Sequence, residues 1–134
     1  MARHVKVPLT CKQCKVTKPC DGEFFCSIGC FQINKKEERI SNWLNGGPIA
    51  SRRVRDYLLE KFDGRCSQCG LNVWMGKPLV VELEHKDGNS ENNRPENVCL
   101  LCPNCHSQTS TYKNRNKGKG RHSRRIRYHE GKSY

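Results

Sequence analysis

Four cysteines constrain this chain more than any other feature: Cys66 and Cys69 form one C-x2-C pair, Cys102 and Cys105 a second, and 32 residues lie between them. Thiolates in this spacing suit a closed tetrahedral zinc site with Zn–S near ~2.3 Å, and two intact pairs seldom occur together without a metal. Such a site staples the end of a helix, near Asp63-Gly64, to the start of a later one. Its binding energy is then folding energy. The chain needs that help, because only 34% of its 134 residues are hydrophobic and 7% aromatic, against 28% charged. That is too little apolar material for a conventional core, and the length excludes a large multi-lobed enzyme.

A second set of cysteines is looser. Cys11 and Cys14 form a clear pair, Cys26 and Cys30 a C-x3-C partner, and Cys20 is left over as a substitute for one of them. The expected second zinc site is Cys11, Cys14, Cys26 and Cys30, with Cys20 and Cys99 as free thiols and two zinc ions per chain. Cys99 alternates with apolar neighbours, where a small buried hydrophobe is the natural reading. Residues 1–20 hold no apolar run ending in a cleavage site, and no stretch reaches the ~20 apolar residues that span a bilayer. The expected compartment is therefore a reducing cytoplasm, where paired cysteines bind zinc more often than they form disulfides.

Charge narrows the class of partner. The formal net charge of +12 is typical of proteins that meet phosphate polymers. Its distribution is uneven: residues 1–64 carry twelve basic and seven acidic side chains, residues 65–112 four and five, and residues 113–134 nine and one. An electrostatic grip thus flanks a nearly neutral centre. The tail cations Lys113, Arg115, Lys117, Lys119, Arg121, Arg124, Arg125 and Arg127 are interspersed with glycine and asparagine. They predict an extended or DNA-ordered arm that follows phosphates. Arg52, Arg53 and Arg55 read as a solvated helix face.

Punctuation and periodicity place the elements. Ile40, Trp43 and Leu44 suggest one helix, and Val54, Leu58 and Phe62 a second, capped by Ser51 after the Gly46-Gly47-Pro48 break. Strands are expected over 79–84 and 97–101, separated by a polar loop over 86–95 and followed by a helix near Pro103. The fold class is α+β, small and zinc-stabilised. Its three parts are 1–47 with the N-terminal zinc knuckle and a helix, 48–112 with the strands and later knuckle, and the basic tail 113–134.

Within the segment VELEHKDGNSENNRPENVCLLCPNCHSQT, Glu84-His85 ends a strand, Asn97 opens the next, and His106 follows Cys105 directly. In these residues the chain resembles the HNH endonuclease family, the ββα-metal nucleases, and in particular phage-type members whose motif is embedded in a four-cysteine zinc site. The resemblance covers residues 49–121, and FCSIGC with the tail GKGRHSRRIRYHEGKSY look like companions of the motif in phage and bacterial chains. It implies a DNA endonuclease in which His85 is the general base, Glu84 and His106 hold one Mg²⁺ or Mn²⁺ ion, and Asn97 orients the loop. It also implies double-stranded DNA as partner, products with 5′-phosphate and 3′-hydroxyl, and a phage or mobile-element role as a homing, nicking or host-DNA nuclease.

The chemistry agrees with that implication. Cutting a phosphodiester needs a nucleophilic water, stabilised phosphate charge and help for the departing 3′ oxygen. An imidazole can accept the water's proton near neutral pH, and a carboxylate with a second imidazole can share a divalent ion. Neighbouring strand residues point to opposite faces, so Glu84 and His85 meet one phosphate only if the strand turns there, and Lys86-Asp87-Gly88-Asn89 supplies turn chemistry. Two positions depart from the family: Ser110 stands where many members carry a further histidine, and Glu84 where Asp or His is frequent. The rival reading is a non-catalytic zinc-dependent DNA-binding regulator; an RNA-binding role is disfavoured because stacking aromatics are scarce. One ββα unit holds one active centre, so a dimer is needed only for a concerted double-strand break.

Overall fold

Residues 8–19 and 25–132 are described in the computed structural model, and they fall into two units, Met1–Asn42 and Trp43–Tyr134. In the first, strands β1 (Pro8–Thr10) and β2 (Thr17–Pro19) pair antiparallel, with Thr10 opposite Thr17. The turn between them carries Cys11 and Cys14 and is closed by the Cys11 N–H on the Val16 carbonyl, 3.0 Å. Helix α1 (Ile28–Leu44) follows and places Cys30 in its first turn. Apolar spacing marked only the last part of this helix. The stretch 32–39 consists largely of long-chain polar residues, which favour helix without forming an apolar stripe.

The second unit begins with Trp43, 2% exposed, whose ring meets Tyr57 edge-on at 5.6 Å between centroids. Helix α2 (Ser51–Lys61) buries Val54 and Leu58 at the expected spacing. Ser51 is not its cap. Ala50 occupies that position without a side-chain bond, and the Ser51 hydroxyl instead donates to Asn93 Oδ1 at 3.0 Å. Arg55 is not part of a solvated face either, since its guanidinium donates to the Val81 carbonyl at 3.2 Å. A two-residue turn at Met75-Gly76, both at positive φ, joins the short strands β3 (Val73–Trp74) and β4 (Lys77–Pro78).

Strand β5 (Glu82–His85) then pairs antiparallel with β6 (Val98–Leu101), in a register that sets Glu84 opposite Cys99 and His85 opposite Val98. Both strands begin later than expected. Residues 79–81 lie outside the ladder, where the Leu79 N–H bonds to the Asn72 carbonyl at 2.8 Å, and Asn97 closes a 3-10 turn, Pro95–Asn97. Helix α3 (Pro103–Ser107) starts on Cys102, whose sulfur accepts the Cys105 N–H and so acts as the cap. The core gathers Val54, Leu58, Val81, Val98, Leu100 and Leu101 together with Cys66 and Cys102.

The tail corrects an expectation. Instead of an extended arm, residues 113–132 form a 3-10 turn, Lys113–Asn116, and helix α4 (His122–His129). Hydrogen bonds to the preceding domain hold it: Asn116 Nδ2 donates to the Gly88 carbonyl at 2.7 Å, and the His122 N–H donates to Glu91 at 3.3 Å. Gly88 sits at φ +73, and a Cβ there would lie 2.0 Å from Asn116 Oδ1, so glycine permits both the turn and the docking. Composition cannot reveal anchors of this kind. Among the described residues no helix is long and apolar enough to cross a membrane.

Candidate active site

Two four-cysteine groups form, Cys11, Cys14, Cys26 and Cys30 in the first unit and Cys66, Cys69, Cys102 and Cys105 in the second, with all sulfurs of a group within 4.8 Å of one another. Zinc with ~2.3 Å bonds has tetrahedral S–S edges of about 3.8 Å. The pairs Cys14–Cys26, Cys26–Cys30 and Cys69–Cys102 lie at 3.4, 3.5 and 3.9 Å, near that edge and far beyond a ~2.05 Å disulfide. Each group can therefore hold one zinc ion. Cys20, the alternative ligand, lies outside the described residues.

The thiols are poised unequally for this. The Cys14 backbone N–H leads the hydrogen bonds that hold Cys11 down at about 6. Burial would raise Cys66, but backbone N–H groups of Cys69, Cys102 and Gln68 bring it down to about 6. Hydrogen bonds with the Cys14 and Cys30 thiols push Cys26 up to about 12, and burial followed by the Cys102 thiol does the same for Cys105. Each metal-free cluster thus sets one readily ionised sulfur beside one that holds its proton, Cys11 beside Cys26 and Cys66 beside Cys105. Zinc entry releases those protons.

Glu84 and His106, named together from the sequence, are in contact: Glu84 Oε2 lies 3.0 Å from His106 Nε2. Two residues missed in the sequence, one on β5 and one in the turn after α3, complete the arrangement. Glu82, two positions before Glu84 and so on the same face of β5, places Oε2 2.5 Å from His106 Nδ1. Thr111 Oγ1 donates to Glu84 Oε1. The alternation in Glu82-Leu83-Glu84 was the available signal for Glu82, whereas nothing local marks Thr111.

This donor set suits a divalent cation. A proton on Nδ1, shared with Glu82, leaves the neutral ring with a lone pair at Nε2 facing a carboxylate oxygen. Such a pair of acceptors needs a second ring proton or a cation between them. Their 3.0 Å separation matches adjacent corners of an octahedron with ~2.1 Å bonds, the geometry of Mg²⁺. Glu82 then takes the part of the carboxylate that commonly orients a metal-binding imidazole. Glu84 is 6% exposed. It lines a cleft of about 550 Å³ together with Ser67, Lys86, Cys99, Thr109 and Ser110. Cys99, expected to be buried, is only half-buried in this cleft, and burial still raises its thiol.

His85 stands one residue further along β5, and its imidazole makes a different contact: Nε2 lies 2.8 Å from Asn93 Oδ1. The regular pairing His85–Val98 accounts for this divergence, since adjacent side chains leave a strand on opposite sides. Asn97 does not touch the His85 ring in any hydrogen bond among the described residues. It ties the following loop, where Oδ1 accepts the Asp87 N–H at 3.1 Å and Nδ2 donates to Asp87 Oδ1 at 2.9 Å and the Asn92 carbonyl at 2.7 Å. Burial would raise the Asp87 carboxyl, but hydrogen bonds from Asn92, Asn89 and Asn97, with His85 nearby, hold it below the ordinary aspartate value.

Of the tail cations, Lys113, Lys117, Arg124 and Arg127 line a second cavity of about 330 Å³ with Asn116 and Gly120. Arg115 is engaged elsewhere, donating to the Ser107 carbonyl and, at 2.8 Å, to that of Thr109.

The chain is 42% identical over 91 residues to H-N-H endonuclease F-TflIV of Escherichia phage T5, a match covering 66% of this chain and 40% of that protein. It is 31% identical over 86 residues to Zorya protein ZorE of Escherichia coli, covering 63% of this chain and 23% of that protein. The chain thus spans less than half the length of these curated relatives. No family model matches it, and neither does any solved structure. The chain thus resembles the H-N-H endonuclease of the phage in sequence, and a four-cysteine cluster brackets its Glu84 and His85 segment and directly precedes His106.

Proposed function

We propose that this chain is a DNA endonuclease that hydrolyses phosphodiester bonds in double-stranded DNA with one divalent ion, Mg²⁺ or Mn²⁺. The observation that carries this reading is the line Glu82–His106–Glu84, a carboxylate-oriented imidazole facing a second carboxylate across 3.0 Å. The likeness to a protein named as an endonuclease supports it independently. In this reading β5, β6 and α3 form a ββα-metal unit within residues 48–112, the knuckle module 1–47 precedes it, and the tail 113–134 contacts DNA. Phage or mobile-element homing, nicking or host-DNA cleavage is the corresponding role.

The residues divide the reaction between them. His85 takes a proton from water as the water oxygen forms its bond to phosphorus, and the bond to the 3′ oxygen breaks. The products carry a 5′-phosphate and, once the departing oxygen is protonated from solvent, a 3′-hydroxyl. Glu84 and His106 hold the ion, which when bound supplies charge neutralisation at the phosphate and at the departing oxygen. Asn97 keeps the loop after His85 in one conformation through its three hydrogen bonds.

Supercoiled plasmid with Mg²⁺ or Mn²⁺ tests the reading. The zinc-loaded protein is expected to nick or linearise it, and Glu84→Ala and His106→Ala each to slow cutting about 10²-fold or more while still shifting DNA in a gel. Binding with no cutting by the unmodified chain would instead point to a zinc-dependent DNA-binding regulator. Salt dependence tests the tail: if about six of its cations neutralise phosphates, affinity falls by roughly three decades between 50 and 200 mM salt. A flat response would take the tail out of the interface.

A further inference from the structure

The hydrogen bonds around Asn93 determine which nitrogen of His85 carries the proton. Asn93 Nδ2 lies 2.9 Å from the Ile49 carbonyl, an atom that only accepts, so the amide nitrogen must face that way. Its oxygen therefore faces the other way, where it accepts the Ser51 hydroxyl at 3.0 Å and meets His85 Nε2 at 2.8 Å. An amide oxygen has no hydrogen to give. The His85 Nε2 must be the donor, and the neutral ring is left with its lone pair on Nδ1. No hydrogen bond to Nδ1 is found among the described residues.

We propose that Asn93 is a positioning residue that holds His85 in the Nε2–H tautomer and presents Nδ1 as the nitrogen that takes the proton from water. The proposal rests on the reading of His85 as general base and assigns the residue behind it. Asn93 suits the task because it is itself held at several points. Its main-chain carbonyl accepts the Trp43 indole N–H at 2.6 Å, and its side chain joins Ile49 to Ser51 at the start of α2. A flipped amide would turn its oxygen against the Ile49 carbonyl, so Asn93 cannot offer its nitrogen to the imidazole without losing that bond. The ring is thereby oriented from the side opposite the water. A neutral oxygen performs this without adding a charge at this half-buried position.

Nitrogen-15 NMR of histidine-labelled, zinc-loaded protein, at a pH where the ring is neutral and without DNA, reads the tautomer directly. His85 is expected to show a protonated Nε2 and an unprotonated Nδ1. Asn93→Leu should give a mixture of tautomers and slow plasmid cutting on the order of 10²-fold, with zinc content and DNA affinity retained. Asn93→Asp keeps the accepting oxygen and should restore the Nε2–H form even if the loss of the Ile49 bond lowers the melting temperature. A wild-type ring protonated on Nδ1, or a tautomer unchanged in Asn93→Leu, overturns the proposal. If the Nε2–H form is found but the wild type cuts no DNA, the role of Asn93 as tautomer anchor stands and the nuclease reading falls.

Discussion

Replacing His85 by alanine is expected to lower the rate of DNA cutting by about 10²–10⁴-fold, the usual worth of a positioned general base, while DNA affinity and zinc content stay as they are. The separation of effects follows from where the ring sits. His85 ends β5 opposite Val98, is only half-buried, and contributes no sulfur to either cysteine cluster. Its side-chain hydrogen bond runs to Asn93, which keeps its links to Ile49 and Ser51 without it. Its backbone carbonyl accepts the Gly88 N–H at 2.7 Å, and a main-chain bond survives truncation of the ring. Single-turnover cutting with the variant in excess over plasmid measures the chemical step, and a gel shift at the same salt measures binding. Equal rates for wild type and His85→Ala would remove His85 from the chemistry, whatever the fate of the metal residues.

Removing zinc is expected to unfold both units. A structural zinc site contributes an apparent ~10–16 kcal/mol near neutral pH, comparable to or greater than the ~5–15 kcal/mol net stability of an ordinary domain. Here there is little else to offset its loss. The buried apolar set of the second unit is short, and Cys66 and Cys102 belong to it. In that unit the cluster also orders backbone, since the Cys66 sulfur accepts the Cys102 N–H at 3.3 Å and the Cys102 sulfur caps α3. His106, the residue after Cys105, inherits its position from this cluster. A strong chelator should therefore abolish the circular-dichroism signal of the helices and all cutting, and Cys102→Ser should do the same for the second unit. Elemental analysis of the intact chain should give two zinc ions. One would eliminate the N-terminal site, and a metal-free chain that still melts cooperatively at the same temperature would refute the stapling argument.

The two cysteine clusters could be read from sequence because their information is local. A C-x2-C pair forms a turn whose N–H groups point at sulfur, and the pairs need only be brought within metal reach. Helix α2 was legible for a similar reason, with Val54 and Leu58 spaced along one face. Ser51 shows where this kind of reading stops. A serine before an apolar run is a good cap by type, but its hydroxyl went to Asn93, 42 residues away. The tail shows the same limit, since its arginines and glycines have the composition of a free arm while Asn116 ties it to Gly88.

The chain by itself determined the two four-cysteine groupings, the excess of positive charge toward the C-terminus and the acid-imidazole segment that suggested cutting chemistry, because each depends on residue type and short spacing. Tertiary structure decided which atoms meet. It brought Glu82 behind His106, turned Glu84 and His85 toward different partners, and set Asn93 against the His85 ring. The physical reason is that a hydrogen bond is fixed by a few tenths of an ångström and an angle, and those are set by how strands, loops and helix ends distant in sequence pack together. No window of neighbouring residues contains that information.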